Sequence, residues 1–101
     1  MAEVLTIEDL RSRIDTIDEQ LLRLLNVRVA CAVEVGRLKH EAGLPIYQPE
    51  REAQVLSRVR QSATELAGPL TAEAVVRIFE RIIDEARRAE REASSQRDEL
   101  R

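Results

Sequence analysis

One apolar stripe crosses the first third of the chain with no helix breaker in it. It reads Leu10, Ile14, Ile17, Leu21, Leu24, Arg28, Cys31, Val35 and Leu38, in alternating steps of four and three. That period is the signature of a helix face packed lengthwise on another helix. A helix from Thr6 to about Ala42 would be roughly 55 Å long, whereas a compact chain of this size has a radius of gyration of about 13 Å. Such a helix cannot bury its seam within its own short chain, and a second copy is its natural cover. Arg28 places a charge where a leucine is expected, and a local breach of a pattern often marks a working site.

The remaining punctuation divides the chain into three helices. Thr6 can cap the first, with Glu8 and Asp9 in its first turn, where the helix dipole favours anions. Gly43 and Pro45 stop it. Ile46, Tyr47 and Gln48 form a short extended connector, and Pro49 suits the first turn of the second helix. That helix would bury Val55, Leu56, Val59, Ala63 and Leu66 before the break at Ala67-Gly68-Pro69. Thr71 caps the third, whose inner face is Val75, Ile78, Phe79, Ile82, Ile83 and Ala86. The fold expected is all-α, one long helix and two shorter, forming an intertwined helical homodimer. Residues 1–101 read as a single domain, with a frayed tail from about residue 91.

Composition narrows the function. Hydrophobic residues make up 44% and charged residues 35%, the balance of a globular protein rather than a disordered one. The net charge of −3 offers no general attraction to nucleic acid or an anionic membrane. Tyr47 and Phe79 are the only aromatic residues, too few for base stacking. No apolar run approaches a membrane span, and the first ten residues lack the pattern of a signal peptide. The lone Cys31 reads as a small buried residue in a reducing cytoplasm. His40, the only histidine, lies too far along the same helix to activate that thiol, and reads as exposed. One cysteine and one histidine cannot assemble a zinc site.

A local cationic cluster is left. Arg28 and Lys39 are eleven residues apart on one helix face, roughly 16 Å along the axis. Two long side chains can close on a small anion across that gap. Arg51, just past the Pro49 turn, can join them once the second helix folds back. Arg11 lies roughly 25 Å before Arg28 along the helix and cannot. To serve the same ligand it must come from the other chain of an antiparallel pair, giving shared sites, two per dimer. Taken singly, Arg11, Lys39 and Arg51 read as solvated surface cations. Arg28 differs, because a buried guanidinium needs an anion, either an internal carboxylate or a ligand. Glu90 extends the apolar face of the third helix, and reads either as a solvated glutamate or as a carboxyl lining a pocket near Lys39.

The ordered set of these residues resembles the all-helical chorismate mutases. The likeness runs from Leu10 to Glu90. It rests on Leu10-Arg11-Ser12-Arg13-Ile14-Asp15, on Ile17 to Leu25, on Arg28, and on Ala32-Val33-Glu34-Val35-Gly36-Arg37-Leu38-Lys39. It continues through Pro45 to Glu52 and through Ile78 to Ile83. The resemblance implies rearrangement of chorismate to prephenate, on the route to phenylalanine and tyrosine. It implies that Arg28 and Arg51, with Arg11 of the partner subunit, hold two carboxylates. By the same likeness Lys39 donates to the ether oxygen and a carboxylate, Glu52 receives the ring hydroxyl, and Glu90 faces the ether oxygen. Gln48 stands where an aspartate is frequent and Ala86 where a serine hydroxyl often assists, so weaker binding is expected there.

These residue types suit a unimolecular pericyclic shift, which needs no nucleophile, metal or cofactor. The protein must fold a flexible dianion into its reactive chair and stabilise charge growing on the breaking ether oxygen. Arginine forks match planar carboxylates. Glu90 can donate to the ether oxygen only when protonated, so activity should fall as pH rises. Two other functions compete. One is an isochorismate pyruvate lyase of the same fold, and the other is a non-catalytic helical dimer docking on a larger aromatic-pathway enzyme.

Overall fold

The computed structural model describes residues 4–100 and contains three helices in chain order, α1 (Ile7–Glu41), α2 (Pro49–Glu65) and α3 (Ala72–Glu99). Met1 to Glu3 and Arg101, the outer ends of the signal-peptide and tail readings, lie outside the described residues. No helix is long and apolar enough to cross a membrane among the described residues.

The punctuation acts where the sequence places it. Thr6 and Asp9 close a reciprocal capping box, with the Asp9 amide donating to Thr6 Oγ1 at 3.1 Å and the Thr6 amide donating to Asp9 Oδ2 at 3.0 Å. At the other end of α1, Gly43 takes a φ of +72°, which a side chain would resist. The Gly43 amide then donates to the His40 carbonyl and the Leu44 amide to the Lys39 carbonyl, at 3.1 and 2.8 Å. This Schellman turn fixes the direction in which the chain leaves α1. Pro49 opens α2, and Thr71 Oγ1 caps α3 by accepting from the Ala74 amide.

α2 and α3 form an antiparallel hairpin. Arg60 meets Glu73 near its turn at 3.1 Å, and Glu52 meets Arg87 at its open end. The later part of α1 packs on the later part of α3, so α3 touches both other helices. The apolar centre is thin. Val55 and Ala86 are the only buried hydrophobic side chains among those described. The chain is elongated, 64 × 30 × 16 Å, with a radius of gyration of 17.9 Å. Its accessible surface is 8249 Å², against roughly 5,800 Å² for a compact monomer of this mass. Much of the excess is the α1 seam: Leu10, Ile14, Ile17, Leu21 and Leu24 are all open to solvent.

Four sequence expectations are corrected. Cys31 is exposed rather than buried, because the seam it belongs to has no cover within the chain. Leu66 is 80% exposed, because α2 ends at Glu65 and its last turn overhangs the hairpin. Ile78 is half-exposed, the inner face of α3 being narrower than the apolar stripe. The segment after Glu90 is helix to Glu99 rather than frayed. No glycine or proline interrupts it, and Ala93, Ser94 and Arg97 are half-buried.

Candidate active site

A cavity of about 310 Å³ opens where the three helices converge, a volume suited to a small ligand. α1 contributes Arg28, Cys31, Ala32, Val35 and Lys39, on successive turns of one face. The connector adds Ile46 and Gln48. α2 adds Arg51, Glu52, Val55 and Arg58, and α3 adds Ile83, Ala86, Arg87 and Glu90. Seven residues singled out from sequence therefore meet here: Arg28, Lys39, Gln48, Arg51, Glu52, Ala86 and Glu90. Arg11 does not. It is exposed, on the free half of α1 and outside the cavity.

Lys39 is held at its root by the Schellman turn and at its tip by two acceptors. Its Nζ donates to the Ile46 carbonyl at 2.8 Å and to Glu90 Oε2 at 3.2 Å. Both side chains of that pair are close to nine-tenths buried. Of the two readings open for Glu90, the structure gives the pocket carboxyl. A bare helix backbone makes room for it. Gly36 is the one buried residue of α1, and a Cβ there would lie 3.2 Å from Glu90 Cγ.

The second acid, Glu52, is also occupied. Arg87 Nη2 donates to both of its oxygens at 2.5 Å. The Arg87 guanidinium lies 4.8 Å over the centre of the Tyr47 ring, a cation–π distance. Its hydrogen bond to Glu52 is the main reason that its pKa rises above the usual arginine value.

The charge count around the cavity follows. Five cations line it and both carboxylates are already paired. Arg28, Arg51 and Arg58 have no carboxylate partner among the described residues. The internal carboxylate that Arg28 could have taken is absent among the described residues. Sequence reasoning missed Arg58 and Arg87. Arg58 is seven residues after Arg51, two turns along the same face, a spacing that could have found it. Arg87 borders Ala86, the last residue of the inner face as read from sequence.

Fold and site thus define an all-helical protein with a cation-lined pocket where its three helices converge. A family model described as chorismate mutase type II matches residues 10–91, and the chain belongs to that family. The bifunctional chorismate mutase/prephenate dehydratase of Aquifex aeolicus is 41% identical over 78 residues, covering 76% of this chain and 22% of that protein. The chain spans about a fifth of the length of such curated relatives. The crystal structure of chorismate mutase from Helicobacter pylori in complex with prephenate superposes with a TM-score of 0.78 at 29% identity, covering 88% of this chain and 93% of that one. Chorismate mutase from Thermus thermophilus gives 0.73 at 35% identity, with 79% and 96% covered.

Proposed function

We propose that this chain is a chorismate mutase, converting chorismate to prephenate as a homodimer with two shared sites. The observation that carries this is the set of three guanidiniums, Arg28, Arg51 and Arg58, facing one small cavity without carboxylate partners. A dicarboxylate supplies the missing charge. Arg28 and Arg51 grip its two carboxylates, joined by Arg11 of the partner subunit. The open α1 seam and the excess surface support that second copy.

Grip alone does not accelerate a rearrangement; it raises the fraction of substrate held in the reactive chair. The barrier falls through donors that strengthen as the ether oxygen gains charge. Lys39 is fixed by two acceptors before substrate arrives, so it needs little reorganisation. Glu90 stands beside it and, once protonated, donates to the same oxygen. Glu52 accepts from the ring hydroxyl. Gln48 and Ala86 bring no charge and shape the wall. No step calls for a metal or cofactor.

The dehydratase fused to the Aquifex relative supports placing this domain beside a larger aromatic-pathway enzyme that consumes its product. A cytoplasmic setting suits the lone Cys31, which has no second cysteine in the sequence to pair with.

The test is a chorismate assay on wild type and Arg28→Ala, with solution mass measured alongside. Wild type should consume chorismate and yield prephenate as a dimer. Losing one charged donor at about 3 kcal/mol lowers kcat/KM by roughly two orders of magnitude. Pyruvate release from isochorismate with no prephenate from chorismate would assign the lyase reaction instead. Chorismate that neither disappears nor raises Tm would leave a docking module.

A further inference from the structure

We infer that Arg87 is a positioning residue that holds Glu52 ready for a hydroxyl of the bound substrate, with Tyr47 as its platform. This rests on the mutase reading, and on four observations independent of it. Arg87 Nη2 contacts both Glu52 oxygens at 2.5 Å. Its guanidinium stacks 4.8 Å above the Tyr47 ring. Its Nη1 lies 3.6 Å from Asp84 Oδ1. Its Nε is buried, without a hydrogen-bond partner among the described residues. A guanidinium that gives up one donor to stay in this place is fixed by packing and charge from three elements: the connector, α2 and α3.

The arrangement has two consequences for Glu52. The first concerns geometry. A carboxylate offers about four lone-pair sites, and one nitrogen bridging its two oxygens leaves further acceptor capacity on each. Glu52 can therefore bind Arg87 and a substrate hydroxyl together, and Arg87 sets the angle at which it does so. The second concerns charge. An unpaired Glu52 beside Arg51 would compete for that guanidinium and repel the dianion. Paired to Arg87, it accepts a neutral hydroxyl while leaving Arg51 for a carboxylate. Tyr47 keeps Arg87 on the wall, so that Arg87 does not itself turn to the substrate.

The experiment compares two substrates across a small set of full-length variants. The substrates are chorismate and an analogue with hydrogen in place of the ring hydroxyl. The variants are Arg87→Ala, Arg87→Lys, Glu52→Gln and the Glu52→Gln/Arg87→Ala double. On chorismate, Arg87→Ala should lower kcat/KM by roughly tenfold, the scale of one hydrogen bond to a charged group. On the analogue the same substitution should change it less than about twofold, within the scatter of a lost surface contact. Arg87→Lys should recover part of the loss, and the double variant should be no worse than Glu52→Gln alone. Equal losses on both substrates, or losses that multiply in the double variant, would overturn the inference. If Arg87→Ala fails to fold by circular dichroism, Arg87→Lys carries the same two-substrate comparison. A wild type inert on chorismate would sink the mutase reading and this inference with it. An active wild type with equal losses sinks the inference alone.

Discussion

The two halves of α1 are built from one repeat and live in different surroundings. From Ile7 to about Asn26 every residue is exposed, the seam leucines and isoleucines included. From Arg28 onward the helix leans on α3, buries Gly36 under Glu90, and turns Arg28, Cys31, Val35 and Lys39 toward the cavity. The contrast shows what a heptad-like pattern specifies. It fixes which residues share a face and says nothing of what covers that face. Because the helix has no break, its two halves are mechanically joined. In the dimer proposed above, the same contact that hides the seam delivers Arg11 of the partner subunit to the cavity.

Breaking the first half should therefore disable the second. Leu21→Glu places a carboxylate in the middle of the seam, and a symmetric pair carries it twice. Burying a leucine contributes about 2 kcal/mol, and an unpaired buried charge costs several more. We expect the solution mass to halve and chorismate turnover to fall by roughly a hundredfold or beyond, by the loss of a charged donor across the interface. A variant that kept both its mass and its rate would separate seam from site.

The second half can be tested without touching the first. In the mechanism proposed above, Glu90 serves the ether oxygen only as the neutral acid, which predicts a kcat that declines as pH rises. Glu90→Gln keeps a donor at all pH values and should flatten that decline, with the dimer unchanged. Profiles of kcat for the two proteins decide it. Identical declines would remove Glu90 as the proton-dependent donor.

The same division explains what is legible in the sequence. Helix ends are readable because their chemistry is local. Thr6, Gly43, Pro49 and Thr71 act on backbone groups within one turn. Seven of the cavity's residues are readable from spacing and resemblance together. Burial is not, because it depends on partners. Cys31 belongs to a seam and so reads as buried, yet within one chain nothing lies over it. Arg87 is hidden for the opposite reason. It stands just past the apolar inner face, where a charge reads as solvated surface, and only the fold shows Glu52 and Tyr47 beside it. Gly36 carries a quieter signal. A glycine inside a helix costs about 1 kcal/mol against alanine, and commonly marks a close approach.

Gly36→Ala turns that signal into a measurement. Alanine favours the helix, so Tm should hold or rise slightly. The new Cβ would press on Glu90 Cγ and Oε2, at 3.2 and 3.3 Å. Glu90 is tied to Lys39 and must move with it or lose it. We expect kcat to fall several-fold, since sub-ångström misplacement of reacting groups is costly. An unchanged kcat would mean that Glu90 yields freely, and that the close approach serves packing alone.

The smallest effect belongs to the far end of the exposed half. There the capping box ties the first turn, and hydrogen bonds from the Thr6 amide, then the Thr6 side chain, hold the Asp9 carboxyl below the usual carboxylate range. A folded-state value below the unfolded one, about 3.9, stabilises the fold above that pH. The contribution is lost as pH falls through the folded value. Asp9→Ala should therefore lower Tm by a few degrees at most near neutrality. Scanning Tm of both proteins from pH 7 down to about pH 2 should bring the curves together below the ordinary aspartate range. Curves that stay parallel would trace the difference to intrinsic helix propensity at that position rather than to the charged cap. Lys39 and Glu90 pair at the opposite end of α1, so loss of this turn should leave that pair untouched.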